Sequence, residues 1–171
     1  MKKERIKERN EKWISENNAE EWMARSISNL ELVKSAPDSE KIRYEDRCYL
    51  CSRSVEYSLK TVMILKLGKY KHGHVLGDLI DELEKNGIAI PDEIKNAVLQ
   101  EYTYDKRLFP FKFPFSFGAK TSLTENTLKT RYPDNYPPIT KKGYENALNK
   151  ADVVVTWVNQ QFQDQKNSIS K

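Results

Sequence analysis

Five stretches of the chain repeat apolar residues every three to four positions, the spacing that lines up one side of an α-helix. The first runs from about Ala19 to Ala36, with Met23, Ile27, Leu30 and Val33 along its stripe, and Pro37-Asp38 closes it. The second, from about Tyr44 to Leu67, carries two stripes. Cys48, Cys51, Val55, Leu59 and Val62 form one, and Leu50, Tyr57, Thr61 and Ile64 the other. A helix apolar on two sides is expected at the centre of a bundle, and Gly68 is its expected stop. A third helix is expected from about His74 to Lys85, burying Leu76, Leu79, Ile80 and Leu83 and ending at Asn86-Gly87. Pro91 suits the first turn of a fourth, which reaches about Arg107 with Ile94, Val98 and Tyr102 in register. The fifth spans about Thr140 to Phe162 through Tyr144, Leu148, Ala151, Val155 and Val158. Val153-Val154-Val155 is β-branched, but the pattern on both sides favours helix. No hairpin or βαβ signal competes, so the expected fold is all-α, an up-and-down bundle of four to five helices.

Residues 1–19 form a charged extension that either prolongs the first helix or frays in solvent. Residues 20–163 make the bundle, and 164–171 read as a polar tail. Inside the bundle, the connection over 108–139 is far longer than the dozen residues that loops usually need, and such loops tend to be functional or disordered. It places Phe109, Phe111, Phe113, Phe115 and Phe117 alternately with Pro110, Lys112, Pro114 and Ser116. On an extended backbone all five rings point the same way. Such a row needs a covering surface: its own bundle, a second subunit or another protein. Its own chain or a twin is favoured, because exposed apolar patches are seldom tolerated.

With 171 residues, 38% hydrophobic and 32% charged, the chain suits one domain with a sizeable core and is too apolar for disorder. Its longest run without Asp, Glu, Lys or Arg is Val153 to Gln163, too short to span a bilayer. The opening MKKERIKERNEK has no apolar run behind it, so no secretory signal is expected and cytoplasmic residence is the default. No Gly-rich strand-to-helix turn occurs, which argues against a dinucleotide fold. The net charge of +4 is uneven: residues 106–142 hold eight basic and two acidic side chains, +6, which leaves −2 for the remainder. Concentrated positive charge favours an anionic partner, though a solvated basic loop explains it equally well.

Candidate chemistry is sparse. Cys48 and Cys51 form a CxxC inside a helix, without the strand-to-helix entry of a redox motif or the further ligands of a zinc site. They are expected to be buried packing residues, and no metal or other cofactor is expected. His72 and His74 flank Gly73, where a histidine caps, packs or moves a proton. Arg131-Tyr132-Pro133-Asp134-Asn135-Tyr136 makes a rigid turn offering a guanidinium fork and two stacking faces. The same turn can equally dock a loop on the bundle.

These pieces fall into one order. W-M-A-R-S-I-S-N-L-E-L-V-K-S-A (Trp22 to Ala36) precedes C-Y-L-C-S-R-S-V-E-Y-S-L-K-T-V-M-I-L-K-L-G (Cys48 to Gly68). His74, Leu76 and Leu79 follow, then R-Y-P-D (Arg131 to Asp134), then a last helix with Ala147 and Ala151. From about Glu20 to Phe162 this resembles the HEPN family, the higher-eukaryote and prokaryote nucleotide-binding domains, in its R-Y-P-D branch. The resemblance implies a helical homodimer, often paired with a minimal nucleotidyltransferase in toxin–antitoxin or defence systems. It also implies, for many members, metal-independent RNase activity from an Arg followed at short spacing by a His. This chain lacks that His: Tyr136, Pro137 and Pro138 occupy the window after Arg131, and neither His72 nor His74 follows an Arg at the required distance. The family's helix-two Glu and Lys correspond to Glu56 and Lys60, a spacing that also suits an ordinary helical ion pair.

The leading expectation is a non-catalytic nucleotide- or RNA-phosphate-binding domain, or a nucleotidyltransferase partner. Its site comprises Arg131, Tyr132, Asp134, Tyr136, Lys129, Glu56, Lys60 and His74, with Arg131 as the catalytic residue if there is one. The alternatives are a divergent metal-independent RNase and a structural dimerisation module built on the Phe row.

Overall fold

A computed structural model describes residues 18–99 and 138–169, and these form five α-helices and no strand. They are α1 (Ala19–Ser35), α2 (Tyr44–Leu67), α3 (Leu76–Lys85), α4 (Asp92–Leu99) and α5 (Lys141–Ile169). The ends follow from local chemistry. Asn18 caps α1 by accepting from the Glu21 amide at 3.2 Å, and Glu20 and Glu21 sit favourably in its positive first turn. α2 stops at Gly68, whose φ of +71° needs a residue without a Cβ. The Pro91 carbonyl accepts the Ile94 and Lys95 amides at 3.0 Å each, starting α4.

α2 lies at the centre, packed against α1, α3 and α5, while α4 joins α3 to α5. Its first stripe is wholly buried: Cys48, Cys51, Val55 and Leu59 have no exposed surface. Leu76, Leu79, Ile80 and Leu83 of α3 and Ile94 and Val98 of α4 close over it, and α5 adds Ala151, Val154, Val155 and Val158.

Three expectations need correction. Ile27 is exposed, and the buried position beside it belongs to Ser26. The reason is a hydroxyl seam between α1 and α2. Ser26 Oγ donates to the Ser54 carbonyl at 2.8 Å, Ser54 Oγ returns a bond to the Ser26 carbonyl at 2.6 Å, and Ser58 Oγ lies 2.6 Å from Ser26 Oγ. Small side chains whose polar atoms are satisfied let the two helices approach closely, so the buried face follows the seam rather than hydrophobicity. α3 begins at Leu76 instead of His74, leaving His74 on the preceding loop. α5 continues to Ile169, through residues the sequence presents as a polar tail. Lys166 pairs there with Glu20 at the start of α1, and Gln160 donates to Asp164 at 2.8 Å. The N-terminal extension, the continuation of α4 to Arg107 and the Phe/Pro-rich connection lie outside the described residues.

At the other end of the bundle the start of α5 is clasped to α2. The Ile139 amide donates to Glu45 Oε1 at 3.0 Å, and Lys141 pairs with Asp38 at 2.9 Å. Tyr44 and Tyr144 stack at 5.4 Å, and the buried Arg47 guanidinium lies 5.8 and 5.2 Å from their ring centres. Arg47 also donates to the Pro37 carbonyl.

Candidate functional site

A polar strip of α2 runs alongside its apolar stripes. Arg53, the adjacent Glu56 and Tyr57, and Lys60 recur every three or four residues, which puts them on one side of the helix within two turns, with Glu56 and Lys60 buried and Arg53 and Tyr57 half-buried. That side faces Trp22 of α1 and the loop after Gly68, whose Tyr70, His72 and His74 complete the cluster.

Glu56 is its hub. The side chain is 1% exposed, and an isolated carboxylate at such depth would be prohibitively costly. Three cationic or potentially cationic groups offset that cost. Lys60 Nζ donates to Oε1 at 2.7 Å, Arg53 Nη1 donates to Oε2 at 2.7 Å, and His74 Nδ1 lies 3.1 Å from Oε1. Arg53 also donates to the Tyr57 hydroxyl at 2.6 Å. Burial, the largest single influence, makes the Arg53 guanidinium easier to deprotonate, but the Glu56 carboxylate, the Tyr57 hydroxyl and Tyr49 together outweigh it and hold the group above its ordinary value. An ordinary helical pair such as Glu21–Arg25, with side chains 34% and 56% exposed, is a different object.

The aromatic residues roof the buried pair. Lys60 Nζ sits 5.2 Å from the ring centres of both Trp22 and Tyr70, and Trp22 meets Tyr57 edge-on at 5.1 Å. Tyr70 in turn lies 4.9 Å from His72. The ammonium therefore fills its own cation–π box and stays inside. Exposure rises outward: the Lys60 side chain is 5% exposed, Arg53 18% and His74 49%. The open mouth of the cluster is thus a guanidinium beside an imidazole, backed by a buried ion pair. Two fixed cations share one carboxylate there, which leaves surplus positive charge.

This constellation brings together Glu56, Lys60 and His74 from the expected set. Arg131, Tyr132, Asp134, Tyr136, Lys129 and the five phenylalanines lie outside the described residues. Sequence reasoning missed Arg53, Tyr57, Trp22, Tyr70 and His72 as partners. Arg53 carried a usable signal, since it stands one turn before Glu56 on the same side of the helix; the others depend on how α1 and the loop fold over α2.

Residues 19–161 match the HEPN domain. The chain belongs to the HEPN domain family. No curated protein and no solved structure matches it. The family match contains every residue of the Glu56 cluster and runs on through most of α5, so the cluster is part of the HEPN domain itself rather than of an appendage.

Elsewhere in the HEPN domain the chemistry is quieter. Cys48 and Cys51 are fully buried, and burial pushes the Cys51 thiol up to about 12 and the Cys48 thiol higher still, so both pack as apolar groups. A shallow groove of about 580 Å³ between α4 and α5 is lined by Glu93, Asn96, Asn149 and Lys150 among others. Partial burial holds the Lys150 ammonium below its ordinary value. Among the described residues no group of three or more His, Cys, Asp and Glu side chains is placed to hold a metal, and no helix is long and apolar enough to cross a membrane.

Proposed function

We propose that this HEPN domain is a non-catalytic binding module for a ribonucleotide or RNA phosphate. It works as a homodimer or beside a minimal nucleotidyltransferase, in a toxin–antitoxin or defence setting in the cytoplasm. One observation carries the reading: at the mouth of the Glu56 cluster Arg53 is part-exposed, already oriented by Glu56 and Tyr57, and backed by a second cation in Lys60. A planar guanidinium fixed in this way suits a phosphate without paying again to order its side chain. The +6 charge of residues 106–142, and within it Arg131 and Lys129, supports an anionic partner for the same domain.

The test is titration of a labelled RNA oligonucleotide and of ATP. Arg53→Ala is expected to weaken binding about tenfold or more, the scale of a charge-assisted hydrogen bond, without loss of helicity. Arg131→Ala and Lys129→Ala probe the basic segment in the same assay. Binding unchanged by Arg53→Ala would remove the assignment to this cluster.

A divergent metal-independent RNase is the second reading, and one contact favours it. Glu56 holds His74 through Nδ1, the arrangement by which a carboxylate orients an imidazole base. RNA cleavage in EDTA, lost in both Arg53→Ala and His74→Ala, would displace the non-catalytic reading.

A further inference from the structure

The groove between α4 and α5 is a separate place from the Glu56 cluster, which is built from α1, α2 and the loop after Gly68. Buried Ala97 and half-buried Val153 give it a shallow apolar floor. Three asparagines rim it: Asn96 on α4, and Asn146 and Asn149 one turn apart on α5. All three are exposed, and among the described residues none of their side chains makes a hydrogen bond. A carboxamide carries an NH₂ donor and a carbonyl acceptor, so it pairs bidentately with a partner that offers one N–H beside one C=O. A peptide main chain is such a partner only where it is extended, because in a helix those groups already bond one another. The floor suits the same occupant. Alternate side chains of an extended segment point to opposite sides, so small ones face Ala97 and Val153 while long ones face outward.

Charge selects the outward side chains. Residues 76–99 hold six acidic and two basic side chains, −4 in all. Lys95 is engaged by Glu84 and Asp92, and Glu82 pairs with Lys71. Glu93, on the groove wall, makes no ion pair among the described residues. A phosphate backbone is repelled there, whereas the long stem of a Lys or Arg lies along the groove and brings its charge to the Glu93 carboxylate. Lys150 on the facing wall is half-buried and bears only donors, which suits a main-chain carbonyl. We propose that this groove binds an extended basic peptide of a partner protein, the three carboxamides pairing its main chain and Glu93 taking a Lys or Arg side chain. This site and the phosphate reading of the Glu56 cluster stand or fall separately.

Three fluorescent decapeptides test it by anisotropy against the full chain: alternating Lys-Ala, the same peptide N-methylated along its backbone, and alternating Glu-Ala. Wild type is expected to bind Lys-Ala about tenfold or more tightly than the N-methylated form, which keeps the charge but has no N–H to donate, and by a similar margin over Glu-Ala. Replacing Asn146 and Asn149 together by Ala should bring Lys-Ala down to the N-methylated level; both positions are exposed, so helicity should be kept. Glu93→Gln should narrow the gap between Lys-Ala and Glu-Ala while sensitivity to N-methylation persists. Arg53→Ala should bind Lys-Ala as wild type does. In ¹⁵N spectra the side-chain amide signals of Asn96, Asn146 and Asn149 should move with Lys-Ala and stay in place with an RNA oligonucleotide. Equal wild-type affinity for Lys-Ala and its N-methylated form overturns the main-chain pairing, and this comparison needs no variant to fold. A preference for Glu-Ala, asparagine signals that move with RNA, or no binding of any of the three peptides also overturns the proposal.

Discussion

α2 buries a cation against aromatic rings at two places, and the two are built differently. Near its N-terminus Arg47 lies against Tyr44 and Tyr144, donates to the Pro37 carbonyl and leaves its Nε buried without a partner among the described residues. Two to four turns further on, Arg53 and Lys60 lie against Tyr57, Trp22 and Tyr70, but here a buried carboxylate gathers both. The first arrangement is sealed by the start of α5 and ties two helices together. The second grades from fully buried Glu56 to half-exposed His74. A buried charge by itself therefore marks packing as readily as function; what distinguishes the Glu56 cluster is its route from a fixed interior to a wet edge, with positive charge in excess.

The comparison breaks most sharply at Glu56. Glu56→Ala leaves Lys60 buried beside Arg53 with no anion, and breaking a buried pair from one side costs about 3–5 kcal/mol. Arg47→Met keeps most of the stem in the Tyr44–Tyr144 pinch and gives up one hydrogen bond and the two cation–π contacts, about 1–3 kcal/mol. Urea midpoints of the two variants should rank in that order, and equal losses would mean that Glu56 is no hub.

A smaller effect tests the seam that brings Trp22 over the cluster. Ser26→Val inserts methyl groups between α1 and α2 and deletes the reciprocal hydroxyl bonds, for a loss of about 1–3 kcal/mol. Ile27→Ser, one residue away on the exposed side, should stay within about 0.5 kcal/mol of wild type in the same urea series. The reverse ranking would restore Ile27 to the core.

Smallest of all is the expected reactivity of the cysteines. At pH 8 Cys48 and Cys51 should resist alkylation in the folded protein and react at ordinary rates once urea unfolds it, because burial holds both thiols well above their usual range. Rapid native labelling, followed by mass spectrometry, would show that the α2 core opens.

The elements were legible because apolar periodicity reports them directly. Leu76, Leu79, Ile80 and Leu83 recur at helical spacing and are all buried. Gly68 and Gly87 end helices at positive φ, as their positions imply. Ile27 misled because hydrophobicity says nothing of a seam that needs small hydroxyl side chains. At the candidate site, Glu56 and Lys60 could be picked out one turn apart, but their spacing matches that of any surface pair, and only burial under Trp22 and Tyr70 separates the two cases. The bond between His74 and Glu56 spans eighteen residues and depends on how the loop after Gly68 turns back over α2, which no local pattern encodes.

The central claim is that Arg53, at the edge of the Glu56 cluster, takes an anion while Arg47 only holds helices together. Fluorescence anisotropy of labelled RNA in EDTA tests it directly, with wild type, Arg53→Ala and Arg47→Met side by side at one salt concentration. The expected result is a dissociation constant about tenfold higher for Arg53→Ala and unchanged for Arg47→Met. Equal affinities for all three proteins, or no binding by wild type, would contradict the account.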